Sequence, residues 1–318
     1  MRALLLPALQ TLLKKLTRLV VLTPLFYLPK ADRIRAERRL RGREQANKLA
    51  RADCVIVSFG KSGRTWLRVM LSRFYQRRHG LAERHLLGID HLHLCHPAIP
   101  EIFFTHDNYL KDYTGHADSK VDYDGKKVVL LVRHPADVAV SQYHQWQHRM
   151  RPHKKALNAY PEHGEAVGIG EFVTERPAGL RKVIDFMNDW ARELHRLPDL
   201  LVVRYEDLRA RPEPTLATIL AFIGTPGTAD EIRDAVAFGS FENMQHLEAR
   251  RAFWLSGRLR PRDRNDPQSF KVRRGKVGGW RDHFDAAEIA RIEALIEAEL
   301  DPVFGYGQAE PPARAASA

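Results

Sequence analysis

The stretch DCVIVSFGKSGRTWLR, residues 53–68, decides the fold. Its first half, DCVIVSFG, is short, apolar and β-branched, the pattern of a strand buried on both faces of a parallel sheet. From Thr65 the pattern becomes helical, with Trp66, Leu67, Met70, Leu71, Phe74 and Tyr75 on one side. Arg77, Arg78 and His79, with Gly80 behind them, form a stop signal. Between strand and helix lies Gly60-Lys61-Ser62-Gly63. A strand ending in such a loop gathers backbone N–H groups and the positive end of a helix dipole at one point, which makes an anion site. Lys61 adds a full charge to it.

Working outward, KKVVLLV, ending at Val132, reads as a second buried strand. It runs into RHPADVAVSQYHQW, where Pro135 suits a helix start. LLVVRYEDL is a third strand leading into a turn, and PTLATILAFIG a further helix closed by Gly224. Phe172 to Leu197 reads as one helix, residues 147–170 as a mobile excursion, and Leu81 to Gly125 as loop. Strand and helix alternate, which predicts a single α/β domain with a central parallel sheet flanked by helices. The 318 residues suit one such unit. The domain is expected over residues 52–307, after a basic, amphipathic helical segment 1–51 and before a disordered Ala- and Pro-rich tail 308–318.

The chain carries 51 basic and 39 acidic residues, a net charge of +12. Such a surplus admits three partners: nucleic acid, an anionic membrane surface or a small polyanion. No aromatic-interleaved RNA-binding motif accompanies it, so nucleic acid is not expected. Only two cysteines, Cys54 and Cys95, are present. They allow no disulfide framework and no CxxC pair, which fits a reducing, cytoplasmic compartment. His85, His91, His93, His96, His106 and His116 match no zinc signature, so no metal site is expected. Near the start, Leu5, Leu9, Leu12, Leu13, Leu16 and Val20 recur at helical spacing opposite Lys14, Lys15 and Arg18. The uncharged run Leu19 to Leu28 is broken by Pro24 and too short to span a bilayer. Residues 1–30 therefore suit an amphipathic segment lying on the inner membrane face. The competing reading is a helix packed on the domain, or a ragged terminus.

The loop is not spelled for nucleoside triphosphates. In GxxxxGK[ST] the first glycine stands five residues before the second. Here that position is Val55, inside the strand. A triphosphatase also needs an aspartate at a neighbouring strand end to hold magnesium. KKVVLLV ends instead in Arg133-His134, and an arginine there binds a second anion. The pattern thus describes two phosphate-like groups gripped by side-chain cations.

Five segments, in order from Cys54 to Phe284, resemble the sulfotransferases that use 3′-phosphoadenosine 5′-phosphosulfate (PAPS). VSFGKSGRTWLR looks like their 5′-phosphosulfate loop. VRHPADVAVSQYHQW resembles their 3′-phosphate motif, with Arg133 and Ser141 eight residues apart. VVRYEDL resembles the strand whose tyrosine, here Tyr205, meets the adenine. GSFENM resembles the segment whose Phe and Met, here Phe241 and Met244, line the adenine pocket, and FKVRRGKVGGW resembles the late loop that would set Arg273, Arg274 and Gly275 near the 3′-phosphate. The resemblance implies a P-loop-like fold and an enzyme that moves the sulfuryl group of PAPS to an acceptor hydroxyl without a metal. The acceptor itself, whether lipid, glycan or small alcohol, is not legible, nor is the oligomeric state.

The resemblance also assigns roles. Lys61 would stabilise the charge growing on the leaving phosphate. Ser62, Gly63 and Thr65 would hold the 5′-phosphate. Trp66 would stack on adenine or pack in the core. Arg64 stands where cytosolic members often carry threonine, and either adds charge at the loop or points to solvent. In PEIFFTHDNYL, Thr105-His106 resembles a Lys-Thr-His element whose histidine takes the acceptor proton, a role suited to an imidazole of near-neutral pKa. The lysine position is Phe104, so one positive charge is missing. Arg133 would clamp the 3′-phosphate, with an ion pair to Asp137 as its structural alternative. A dimer element found in cytosolic members is absent, since Asp285, Ala286 and Ala290 replace its Thr, Val and Glu. Two other readings compete: a kinase using ATP, and a basic binder of nucleic acid or membrane whose loop is vestigial.

Overall fold

The computed structural model describes residues 20–89, 91–253, 258, 259, 261, 263, 270–272 and 275–306, with 13, 16 and 17. Arg273, Arg274, Trp254, Leu255, most of the amphipathic run before Val20 and the tail from residue 307 lie outside the described residues.

Four parallel strands form one sheet in the order β2-β1-β3-β4. They are β1 (Cys54–Val57), β2 (Ile102–Thr105), β3 (Lys127–Val132) and β4 (Leu200–Arg204). Successive side chains point to opposite faces, and both faces are covered. Val55, Val57, Val128 and Leu130 enter one core; Cys54, Ile56, Val129 and Leu131 enter the other. The second core is closed by α2 (Arg64–Arg78) through Leu67, Met70, Leu71 and Phe74, and by α9 (Pro212–Ile223) through Leu216, Ile219 and Leu220. The first is closed by α4 (Pro135–His144), α7 (Leu180–Ala191) and α12 (Ala286–Glu299).

The expected α/β layering is present, with three local corrections. The segment 81–125 holds a strand: β2 pairs with β1 in the register Val57↔Thr105. Residues 172–197 contain α6 (Ile169–Thr174) and α7, not one helix. Pro177 separates them, because it lacks an amide hydrogen and disfavours helix in the residue before it. The stretch 147–170 is tied down. It carries α5 (Pro152–Leu157), buries Leu157 and Val167, and holds the Trp146 indole through a 2.9 Å bond to the Pro161 carbonyl.

The charge-rich α1 (Lys30–Arg51) packs on α3 (Leu110–Thr114). A Cβ at Gly42 would sit 2.2 Å from the Tyr109 carbonyl oxygen, so only glycine permits this approach. Arg38 forks onto both oxygens of Asp112 at 2.9 Å and also donates to the Asn108 and Leu157 carbonyls. The charges expected to face solvent thus partly tie the helix to the domain. No helix among the described residues is long and apolar enough to cross a membrane.

Candidate active site

The sheet order brings the functional residues together. With β1 between β2 and β3, the C-terminal ends of three strands deliver the Gly60–Gly63 loop, His106 and Arg133 to one edge. Ligands in open parallel sheets bind at this edge. A single cavity of about 980 Å³ occupies it.

The loop is shaped for an anion. Lys61 and Gly63 both have left-handed backbones, φ 77° and 89°. Gly63 caps α2, whose first amides lie over the loop. A Cβ at Gly63 would come 2.5 Å from Cδ2 of Tyr205, so the Tyr205 ring rests directly on the glycine. The Tyr205 hydroxyl reaches the Gly275 carbonyl at 3.4 Å, and the ring meets Trp66 edge-on at 5.8 Å. The Trp66 indole donates to the Gly239 carbonyl at 2.7 Å. Trp66 lines the cavity and also packs against the core, so both of its expected roles have a place. Tyr205 is the first residue of α8 (Tyr205–Ala210), one position beyond the strand.

Arg133 follows β3 and lies 4.4 Å from the Tyr205 ring centroid, while donating to the Lys276 carbonyl at 2.9 Å. It also pairs with Asp137 at 3.3 Å. Asp137 is a junction: it accepts the Gly278 amide at 2.9 Å and the Trp280 amide at 3.0 Å. One buried carboxylate therefore orients Arg133 and pins the loop entering Trp280. Arg133 Nε is buried without a partner.

His106 follows β2. Its Nδ1–H donates to the Ser58 carbonyl at 2.8 Å, so the lone pair lies on Nε2. That lone pair accepts Nη2 of Arg64 at 2.5 Å. Burial, then the Arg64 charge, hold the imidazole far below its usual pKa. The ring is therefore held neutral, where a group titrating near neutral pH was expected. Arg64 turns inward to make this bond, which corrects the solvent-facing alternative. Asp107 holds the turn after His106, accepting Lys120 Nζ and the Tyr123 hydroxyl, each at 2.8 Å.

Of the residues singled out in the sequence, Lys61, Gly63, Arg64, Thr65, Trp66, His106, Arg133, Ser141, Tyr205, Phe241, Met244 and Gly275 line the one cavity. Ser62 does not; it is 2% exposed. Arg68 and Lys271 also line it and were not singled out. The Arg68 guanidinium covers the Phe104 ring at 3.8 Å, and Lys271 donates to the Thr65 hydroxyl. Arg68 carried a visible signal, a lone charge set among Leu67, Val69 and Met70. Asp285 accepts the Glu288 amide as a helix cap, and Arg281 pairs with Glu293 at 2.7 Å, so both have duties within the chain. Among the described residues, no three metal-ligating side chains come together.

Residues 51–304 match the sulfotransferase domain family. Cytosolic sulfotransferase 17 of Arabidopsis thaliana is 27% identical over 271 residues, covering 77% of this chain and 73% of that protein. Flavonol 3-sulfotransferase of Flaveria bidentis is 24% identical over 277 residues, covering 81% and 84%. Among solved structures, retinol dehydratase in a complex with retinol and PAP superimposes with a TM-score of 0.57 at 18% identity, covering 85% of this chain and 88% of that one.

Proposed function

The chain belongs to the PAPS-dependent sulfotransferase family, and from that premise we propose that it transfers the sulfuryl group to an acceptor hydroxyl, with Lys61 and His106 on opposite sides of the reacting centre. The observation that carries this reading is the shared edge. Lys61 stands in a loop flanked by the His106 lone pair on one strand and the Arg133 clamp on the other.

The residues fit the donor. The Gly63 cradle would close if a side chain were added, and Arg133, which lines the cavity, has its Nε buried without a partner. PAPS supplies an activated sulfuryl group on a good leaving phosphate. Thr65 and the first amides of α2 hold the 5′ end. Arg133 and Ser141 hold the 3′-phosphate, joined by Gly275. Tyr205, Trp66, Phe241 and Met244 form the walls around the base. Lys61 stabilises charge that exists only as the bond breaks, which favours the transition state over the ground state. His106 takes the hydroxyl proton on Nε2 once Arg64 releases that lone pair.

Compartment and acceptor are read more broadly. A cytoplasmic enzyme fits the absence of disulfide pairing, and Val20, Phe26 and Tyr27, each at least 70% exposed, offer apolar contact to a membrane surface. Labelled PAPS and a panel of lipid, sugar and phenol acceptors test the activity. Lys61→Ala should lower turnover roughly 100- to 1,000-fold. His106→Ala should lower it by a similar factor while PAP affinity stays within about threefold. Calorimetry that finds no binding of PAP to the wild-type protein overturns the reading.

A further inference from the structure

Several buried charges in this fold are paired. Glu248, 0% exposed, accepts three bonds from the Lys271 and Val272 amides and meets Arg149 at 3.3 Å. Lys120 meets Asp107 at 2.8 Å, and Arg133 meets Asp137. One wall of the cavity breaks this habit. Arg68 is 5% exposed, and its guanidinium has no carboxylate partner among the described residues, only the Phe104 ring at 3.8 Å. Arg64, one turn earlier on α2, bonds the neutral His106 and leaves Nη1 buried without a partner. Lys271 donates to the Thr65 hydroxyl, with no carboxylate partner for its ammonium among the described residues. Burial, then neighbouring cations, push all three below their ordinary pKa values. Leaving buried cations uncompensated is strongly unfavourable, and like charges on one wall add to the penalty.

Resting on the sulfotransferase reading, we propose that the acceptor is itself an anion: a hydroxyl compound bearing a phosphate, sulfate or carboxylate group that Arg68, with Arg64 and Lys271, receives beside His106. The donor does not need this charge. Its 5′ end is met by Lys61, Thr65 and the start of α2. Arg68 lies one turn further along that helix, over Phe104 of β2, two residues before His106. An anion there sits on the side from which the accepting hydroxyl approaches its base. Arrival of the anion supplies the missing counter-charge, and it draws Arg64 away from the His106 lone pair. An acidic acceptor therefore frees the base that deprotonates it, whereas a neutral one leaves Arg64 in place.

The test uses the full chain saturated with PAP and inorganic phosphate as the probe, followed by calorimetry. The wild-type complex should bind phosphate. Arg68→Met, which keeps length and packing on Phe104, should weaken phosphate binding about thirtyfold, with PAP affinity within about twofold. Arg68→Lys should restore most of it. If Arg68→Met also loses PAP, Lys271→Met carries the same decision. A complex that takes up no phosphate, or one whose phosphate affinity ignores loss of these charges, overturns the proposal; the latter places the anion in the vacated sulfuryl position. With labelled PAPS, glucose phosphate should outperform glucose, and hydroxyphenylacetate its amide, with Arg68→Met narrowing the gap. Failure of the wild-type chain to bind PAP at all removes the underlying sulfotransferase reading, and this inference with it.

Discussion

Asp137 joins two parts of the donor site, and its removal has a calculable cost. Its carboxylate is 4% exposed, accepts two backbone amides and faces Arg133 at 3.3 Å. Asp137→Ala strands the Gly278 and Trp280 amides, each a loss of roughly 1–3 kcal/mol. It also leaves Arg133 without its counter-charge, and breaking such a pair costs about 3–5 kcal/mol in all. Asp137→Asn keeps one acceptor oxygen and should cost about half as much. Urea titration at pH 7 measures both, with an unchanged m-value showing that the loss is one of stability. The same variants should lose PAP affinity, because the loop from Gly275 to Trp280 and the Arg133 fork lose their common anchor. A double-mutant cycle with Arg133→Met isolates the ion pair from the amide bonds. An Asp137→Ala protein destabilised by less than about 1 kcal/mol would refute the anchoring role. Full PAP affinity in that variant would show that the anchor is irrelevant to the donor.

Three further outcomes are expected. Gly63→Ala meets a left-handed backbone, costing about 1–2 kcal/mol, and a clash with Tyr205; PAP binding should fall at least about tenfold by calorimetry, and unaltered affinity contradicts the cradle. His106 is held well below its ordinary value of 6.5, and the proposed base is its neutral form. The acid limb of kcat/KM should therefore fall well under pH 6.5, and a limb at or above that value assigns the base elsewhere. His134, buried against Trp280, has its pKa pushed down to about 4 from 6.5. The unfolded chain then binds the proton first, so the stability from keeping this ring neutral is complete above pH 6.5. It is lost as pH falls towards about 4, by no more than about 3 kcal/mol. Urea midpoints across that range should decline less in His134→Gln, and parallel declines in the two proteins exclude the ring as the cause.

The fold was legible where one physical signal dominated. β1, β3 and β4 announce themselves as runs of apolar, β-branched residues because both faces of the sheet are covered. β2 hides its strand in four residues, Ile102–Thr105, flanked by polar and histidine-rich sequence, and its identity depends on pairing with a distant partner. The strand–loop–helix turn was legible because Gly60, Gly63 and Lys61 answer to local backbone and charge requirements. The direction of Arg64 was not: a long side chain in the first turn of a helix can reach either way, and only the position of His106 across the sheet selects one. Arg68 and Lys271 escaped for the same reason, since their meaning comes from what surrounds them in space, which spacing along a chain does not reveal.

Glu248 has a consequence for how this enzyme could acquire new substrates. Its carboxylate fastens the chain at Lys271 and Val272, while Phe253, fully buried, anchors the near side. Between these two fixings Leu259 is buried and Arg258 lines the cavity, so the interval is tied to the wall of the site that meets incoming molecules. A graft of that interval from a relative should retune which molecules enter.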